Sequence, residues 1–387
     1  MVRWEDVSKG MNSGGVGIRR LGVVNACLLV KWLWKFGEKE NSLWKKVLCC
    51  KYNYKVESWF PNLDLPWKCS KVWHDILSVG ALVPSLLPYF FHNVGFAIGD
   101  GSRMSFWKHA WHSNSCLQDE FPRLFSLSLQ QDFSVKMMWE SRLQSSEWSL
   151  IFRRPLLAWE EEDLARLRSA LLVHPPIRQH QRDKMVWKAN SSGIFSVNSL
   201  YSWYQQSLGD SIPYLKFVWN KLAPPKAQFF GWLAWRGRIK TSELLQRIGV
   251  LPNHIPYLCC FCNENVETME HILLWCPFIW RLWANMMRWW GMLWVIPGSI
   301  QDLLQWWDGH SFKNLSKKLW SVIPVAIFWS VWKLRNDCIF NKCQPNWDDF
   351  SELIKVRIAL WIKSGVKNIN YTVSDFVHNL DLIRGVH

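Results

Sequence analysis

The feature that most constrains this chain is a run of potential metal ligands in its latter third, CCFCNENVETMEHILLWC. Cys259 and Cys262 are separated by two residues, and His271 and Cys276 by four. Two thiols at the first spacing can bind one ion from a tight turn, and a His and a Cys at the start of a helix can complete the tetrahedron. The spacing therefore predicts a metal site with the ligands Cys259, Cys262, His271 and Cys276.

Three thiolates and one imidazole form a donor set that suits zinc. Four protein ligands leave no coordination position for water, so we expect one structural Zn²⁺ ion that stabilises the fold of this segment. The first ligand has an alternative, because CCFC also allows Cys260 together with Cys262, and His254 lies close upstream. A different interpretation is that these residues are small buried cysteines and a core histidine.

The charge of the chain points to a polyanionic partner. Among 387 residues, 46 Lys and Arg outnumber 31 Asp and Glu, which gives a net charge of +15. Nucleic acid, either RNA or single-stranded DNA, is the first candidate, although a basic surface can also be merely solvated. Between residues 216 and 252, seven cationic residues alternate with aromatic ones against a single Glu. Cations that bind phosphates and rings that stack on bases are expected there; the candidates are Lys226, Arg236, Arg238, Lys240, Trp232 and Trp235.

The chain contains 30 Trp, an unusual number. These rigid rings supply either buried area or stacking surface, and composition does not distinguish the two uses. A tryptophan on a helix belongs more often to the core, so the core interpretation stays open for each candidate ring.

The sequence favours a location inside the cell. The opening MVRWEDVSKG has charges where a secretory signal would have its apolar segment. The most apolar window, 319–332, is 14 residues long and contains Pro324, whereas a membrane-spanning helix needs about 20 residues. Clustered cysteines favour metal binding in a reducing compartment. We therefore expect no membrane association and a location in the nucleus or the cytosol.

Apolar periodicity predicts a mainly α protein with small β-hairpins (α+β) and a compact zinc-binding domain. Helical spacing recurs in 23–52, 139–172, 278–294 and 319–340. One hairpin is predicted between 94–98 and 103–107 across Asp100-Gly101, and a second between 185–188 and 194–197 across a Ser-Gly turn. The acidic run that begins at Glu160 is interpreted as the first turn of a helix, since carboxylates there favour the helix dipole.

The predicted domain organisation follows from the breaker-rich segment HPPIRQHQRDK. The predicted parts are a helical region (1–90), a hairpin with a helical middle region (91–173), a linker (174–184), a zinc-binding domain (185–285) and a Trp-rich helical C-terminal region (286–387).

The chain resembles a known family, the reverse-transcriptase zinc-binding domain of plant LINE-type (non-LTR) retroelements. The run from Phe217 to Trp283 contains the motifs of that domain in order: W-x-K, PPK, F-x-W, Thr-Ser-x-Leu-Leu, C-x2-C and E-x3-H-x4-C. GGVGIRRLGVVNACLLVKWLWKF resembles the segment after the polymerase palm, IGDGSRMSFWKHAW the following hairpin, and IFWSVWKLRNDCIF the helix after the zinc segment.

The resemblance implies a piece that assists binding of template or element RNA and does not copy nucleic acid. Polymerisation in that family needs palm carboxylates in a Tyr/Phe-Ala-Asp-Asp turn, and this sequence has no such turn. We also expect neither an endonuclease-like nor a ribonuclease H domain. The other carboxylates considered, Asp100, Asp183, Asp302 and Asp308, have no common spacing. Two alternatives stay open: an inert or host-adopted remnant that acts only through protein partners, and an enzyme with a degenerate site.

Overall fold

The computed structural model describes residues 2–39, 42–66, 68–113, 115–142, 148–172, 176–178, 180–252, 254–255 and 257–384. The fold is mostly helical with a small two-stranded antiparallel sheet, which confirms the predicted class. The apolar periodicity accounts for the long helices, since each buries one stripe of side chains.

The helices and strands run in the following order. The first part of the chain contains α1 (Trp4–Val7), α2 (Leu21–Glu38), α3 (Leu43–Tyr52), α4 (Lys71–Leu77), α5 (Val79–Leu82), α6 (Leu86–Asn93), β1 (Val94–Ala97), α7 (Leu117–Glu120), α8 (Pro122–Leu127), α9 (Val135–Arg142), α10 (Ala158–Leu172), β2 (Lys184–Trp187) and α11 (Val197–Gln206). The remainder contains α12 (Pro225–Trp235), α13 (Ser242–Arg247), α14 (Pro277–Trp290), α15 (Ile300–Asp308), α16 (Asn314–Asn341), α17 (Trp347–Gly365), α18 (Val373–His378) and α19 (Leu380–Arg384). Short 3₁₀ turns lie at Met11–Ser13 and Pro213–Phe217, and a π-helical turn at His271–Trp275.

The chain forms two compact units. The N-terminal unit is Arg19–Ser207, and the C-terminal unit combines Leu208–His387 with Met1–Ile18. Each unit has its own apolar core. The units divide at positions other than the predicted linker 174–184: Asp183 is buried within the N-terminal unit, and β2 begins at the next residue. Residues 174, 175 and 179 of that linker lie outside the described residues.

The strand pairing differs from both predicted hairpins. β1 pairs with β2, in the register Val94↔Trp187 to Ala97↔Lys184. The first strand of one predicted hairpin therefore pairs with the first strand of the other predicted hairpin. The carboxylate of Asp183, directly before β2, accepts the backbone N–H groups of Gly99 (2.6 Å), Gly101 (3.0 Å) and Arg103 (2.9 Å). The loop 99–103 wraps around this carboxylate and forms no tight reversal, so 103–107 does not return beside β1.

The acidic run on α10 begins a helix, as predicted, and its first carboxylate is buried. Glu160 accepts hydrogen bonds from the guanidinium groups of Arg123 (3.0 Å) and Arg154 (2.7 and 2.8 Å) and from the N–H of Leu157 (2.9 Å). Its contacts with Arg154, more than those with the other two groups, lower the pKa of Glu160 to about 2.

Most of the tryptophans in the C-terminal unit are either buried in its core or partly buried against it. Trp307 and Trp320 stack with centroids 4.0 Å apart, and each indole N–H donates to the backbone carbonyl of the other residue. Trp283 is fully buried and donates to the carbonyl of Leu273 (2.9 Å), which joins α14 to the π-helical turn. Within the described ranges, no helix has both the length and the apolar character needed to cross a bilayer.

Candidate metal centre

The first half of the centre is a tight turn that holds Cys259 and Cys262. An isolated antiparallel bridge between Leu258 and Val266 closes its base. The N–H of Phe261 donates to Cys259 Sγ (3.5 Å), and the N–H of Asn263 donates to the Cys259 carbonyl (2.9 Å). Asn263 has a left-handed backbone (φ +57°), which Asn tolerates well. The sulfurs of Cys259 and Cys262 lie within 4.8 Å of each other in this turn.

The second half is the π-helical turn His271–Trp275, which brings its first residue beside Cys276. The N–H of Cys276 donates to the carbonyl of His271 (2.8 Å), an i to i+5 hydrogen bond that defines this turn. Thr268 Oγ1 accepts the N–H of His271 (3.0 Å), and Pro277 then begins α14. Residues five apart therefore point into one site.

The four ligand atoms lie within 4.8 Å of one another. Cys259 Sγ and Cys276 Sγ are 3.9 Å apart, and Cys262 Sγ and His271 Nε2 are 3.4 Å apart. In a tetrahedron with Zn–S distances of ~2.3 Å and a Zn–N distance of ~2.0 Å, these edges would be ~3.8 Å and ~3.5 Å. The donor set and its spacing therefore fit one tetrahedral ion. Among the described residues the group includes Cys259 and leaves out Cys260.

Burial and electrostatics agree with this arrangement. Cys259, Cys276 and His271 are buried, and Cys262 is half-buried. Hydrogen bonding with the thiols of Cys260 and Cys276 lowers the pKa of Cys259. The hydrogen bond between Cys259 and Cys276 in turn raises the pKa of Cys276. The side-chain contact with Cys259 also raises the pKa of His271. A thiolate is thus favoured at Cys259, and thiolate is the form of Cys that binds metal.

A buried ion pair anchors the segment between the two halves. Glu267 is 1% exposed in its side chain and Arg335 on α16 is 8% exposed. The guanidinium donates twice to this carboxylate, from Nη2 to Oε1 (2.7 Å) and from Nε to Oε2 (3.1 Å). Glu267 is the Glu of the E-x3-H-x4-C motif, four residues before His271. The sequence motif contains no signal for this contact, because the two residues are 68 positions apart.

The same carboxylate also positions the start of α13. Glu267 Oε1 accepts the N–H of Ser242 (3.0 Å), and Thr241 Oγ1 caps the helix by accepting the N–H of Leu244 (3.4 Å). The Thr-Ser-x-Leu-Leu motif therefore has a structural reason: its backbone is tied to the segment that precedes His271.

Comparison with known proteins agrees with this geometry. Residues 195–283 match the family described as zinc-binding in reverse transcriptase. All four clustered residues lie in the matched range, and the predicted resemblance is confirmed there. The first residues of the match, 195–207, belong to the N-terminal unit and the others to the C-terminal unit.

A longer plant protein is similar over most of this chain. It is an Arabidopsis thaliana protein named "Putative ribonuclease H protein", 25% identical over 359 residues, which cover 88% of this chain and 53% of that protein. The chain therefore spans about half the length of its curated relative. No solved structure matches the chain.

Three of the six residues predicted to bind nucleic acid are instead buried or bonded to other residues within the fold. Trp232 is 1% exposed and Trp235 is 9% exposed, so neither ring presents a face for base stacking. The indole N–H of Trp232 (3.1 Å) and the guanidinium of Arg236 (2.9 Å) both donate to the carbonyl of Gly14. Arg236 also lies 3.3 Å from the carboxylate of Asp6. The N-terminal segment covers this face of α12, which the local pattern of the sequence does not show.

The other three predicted cations, Lys226, Arg238 and Lys240, are exposed. The exposed rings of the matched range are different from the predicted ones: Phe229 on α12 is 45% exposed, Trp275 within the π-helical turn is 44% exposed, and Trp280 on α14 is 40% exposed. The sequence contains a signal for the burial of α12, whose apolar residues surround the helix instead of forming one stripe.

Proposed function

We propose that this chain is a zinc-stabilised, nucleic-acid-binding part of a plant LINE-type retroelement reverse transcriptase. The observation that carries the proposal is the grouping of three sulfurs and one imidazole nitrogen within 4.8 Å, inside the range that matches the reverse-transcriptase zinc-binding family. One Zn²⁺ bound there would be structural, because the four side chains fill its coordination shell.

The metal proposal is tested by elemental analysis of the purified chain. We expect about one zinc per chain in the wild type and a loss of most of it in Cys262→Ser. Cys343→Ser is the matched control, because Cys343 is an exposed thiol in the same unit outside the cluster. Zinc that is absent from the wild type, or retained equally in both variants, would contradict the assignment.

Nucleic-acid binding is proposed to use the exposed cations Lys226, Arg238 and Lys240, supported by the net charge of +15. Phosphate contacts release counterions, so the affinity for single-stranded RNA should fall steeply with salt. Changing all three to Gln should reduce the slope of log affinity against log salt by about 2, at ~0.7 per contact. The matched control changes Lys313, Lys317 and Lys318, which are exposed elsewhere in the same unit. A flat salt response of the wild type would overturn this part of the proposal.

The chain is proposed to lack catalytic activity, because the carboxylates considered above have structural partners. Asp183 accepts three backbone N–H groups, as described. Asp302 accepts a hydrogen bond from the hydroxyl of Ser299 (2.8 Å), the residue that caps the start of α15, and Asp308 pairs with Lys216. Asp100 accepts from Ser102 Oγ (2.8 Å). Incubation with a primed template and with an RNA–DNA hybrid should give neither extension nor cleavage above a Cys262→Ser control.

A second candidate function, contact with a protein partner only, is favoured by exposed apolar side chains on the N-terminal unit. Leu43 on α3 is 78% exposed and Val72 on α4 is 67% exposed, and both line one apolar cavity of about 440 Å³. Surfaces of this kind mark interaction sites or aggregation-prone regions. Self-association in solution together with no RNA binding at low salt would favour this candidate over the first.

The proposed compartment is the nucleus or the cytosol. Thiolate ligands persist where thiols are kept reduced, and such compartments bring the chain into contact with RNA. Imaging of a tagged full chain in plant cells distinguishes the two.

A further inference from the structure

An apolar cavity of about 370 Å³ lies beside the exposed cations of the C-terminal unit. Its wall includes Phe230 from α12, Ile239, Leu244 from α13 and Trp332 from α16. Small-molecule sites in proteins begin at about 300 Å³, so this volume accommodates one small ring system and not a helix of a partner.

The aromatic part of the wall has a fixed geometry. Phe230 and Trp332 are stacked, with centroids 5.3 Å apart and an interplanar angle of 28°. The guanidinium of Arg335 lies 4.8 Å from the centroid of the Trp332 ring, and the ion pair with Glu267 holds that guanidinium in place. The wall is therefore part of the structure that also positions the metal ligands.

Two cations stand at the cavity and face outward. Arg238 and Lys240 line it and are exposed, while Ile239 between them is 3% exposed and points inward. In the described part of the chain, neither cationic group forms an ion pair or a side-chain hydrogen bond. Among the residues that the structure describes, no acidic side chain lines the cavity. A ligand that complements this site has an apolar ring and an anionic group next to it.

We propose that this cavity receives one unstacked base of a single-stranded nucleic acid, with Arg238 and Lys240 binding the adjoining phosphates. The inference rests on the proposed function and specifies where the base goes. Bases in a duplex are paired and stacked, so they cannot enter. Stacking tolerates any base, so the site selects single strands and not a sequence.

The test uses the full zinc-loaded chain and two oligomers of equal length and charge. One is single-stranded oligo-dT, and the other has the same backbone with every base replaced by an abasic site. One stacked base should make the first bind about tenfold more tightly than the second. The wild-type ratio requires no substitution, so it does not depend on the folding of a variant.

A matched pair of variants locates the effect. Ile248 lines the cavity and is 55% exposed, whereas Val250 is 63% exposed and does not line it. Ile248→Glu should reduce the ratio of the two affinities to near one, and Val250→Glu should leave it near tenfold. Both changes add one carboxylate at an exposed position.

The outcomes distinguish the cavity from the proposed function. Binding of neither oligomer at low salt would overturn nucleic-acid binding and the cavity with it. Equal binding of both oligomers by the wild type would overturn only the proposal that the cavity receives a base. The same conclusion would follow if Ile248→Glu left the ratio of affinities unchanged, or if Val250→Glu lowered it as much as Ile248→Glu does.

Discussion

Each unit of this protein organises a loop around one buried carboxylate, and the two loops differ in what completes them. In the N-terminal unit, Asp183 accepts three N–H groups of the loop 99–103, so the loop is closed by its own backbone. In the C-terminal unit, Glu267 pairs with Arg335 from a distant helix. The four candidate metal ligands lie on both sides of Glu267 in the sequence. The first loop can therefore form without an ion, whereas we propose that the second depends on one.

Removal of the metal should produce the largest difference in behaviour between the two loops. With a chelator, or in Cys262→Ser, amide hydrogen exchange in 257–276 should become fast, because structural zinc contributes on the order of 10 kcal/mol to folding in small sites. Exchange in β1 and β2 should stay slow. Mass spectrometry of peptides from both regions measures this, with Cys343→Ser as the control. Unchanged protection of 257–276 would remove the distinction between the two loops.

Breaking the ion pair of the C-terminal unit is expected to have the next largest effect. Arg335→Met leaves Glu267 buried without its cation, which should lower the free energy of unfolding of this unit by about 3–5 kcal/mol. The double variant with Glu267→Gln should recover part of the loss, because no charge is then left buried. Urea unfolding of the two variants tests this. A double variant no more stable than Arg335→Met would show that the unpaired charge is not the cause.

Asp183→Asn tests the loop of the N-terminal unit. The amide has one acceptor oxygen where the carboxylate has two, so at least one buried N–H loses its partner, at a cost of about 1–3 kcal/mol. Urea unfolding followed by exchange in β1 reports the change. Asp132→Asn provides the comparison, since Asp132 is exposed and its ion pair with Lys108 should contribute less than about 1 kcal/mol.

The smallest expected effect concerns Glu160 and pH. The folded-state pKa of about 2 lies below the ordinary value of 4.5, so its stabilisation is fully present above about pH 5 and is lost as the pH falls toward 2. The melting temperature of Glu160→Gln should be below that of the wild type at pH 6, and the difference should shrink between pH 5 and pH 2. Glu162→Gln, at an exposed position on the same helix, should melt like the wild type throughout.

Local patterns predicted the parts of the fold that depend on neighbouring residues. Apolar periodicity located the long helices, including α16, and the acidic run marked the start of α10. The predicted strands at 94–98 and 185–188 exist, but their partners were wrong, because β1 and β2 lie far apart in the sequence, as do Asp183 and the loop 99–103 that it binds. Neither contact has a signal in the local sequence.

The metal centre and the predicted nucleic-acid interface differ in the same way: the first depends on nearby residues, and the second depends on distant ones. The spacing of Cys259, Cys262, His271 and Cys276 was enough to group them, since two short turns bring them together. The predicted interface depended on which face of α12 meets solvent, and residues near Gly14 cover the face that contains Trp232 and Arg236.

The sequence by itself determined where helices form and which four side chains can share an ion, because backbone periodicity and ligand spacing act over a few residues. Only the tertiary structure decided which rings are buried, which strands pair and how Arg335 reaches Glu267 across 68 positions. Those outcomes depend on contacts between distant segments, and such contacts form only when the whole unit has packed.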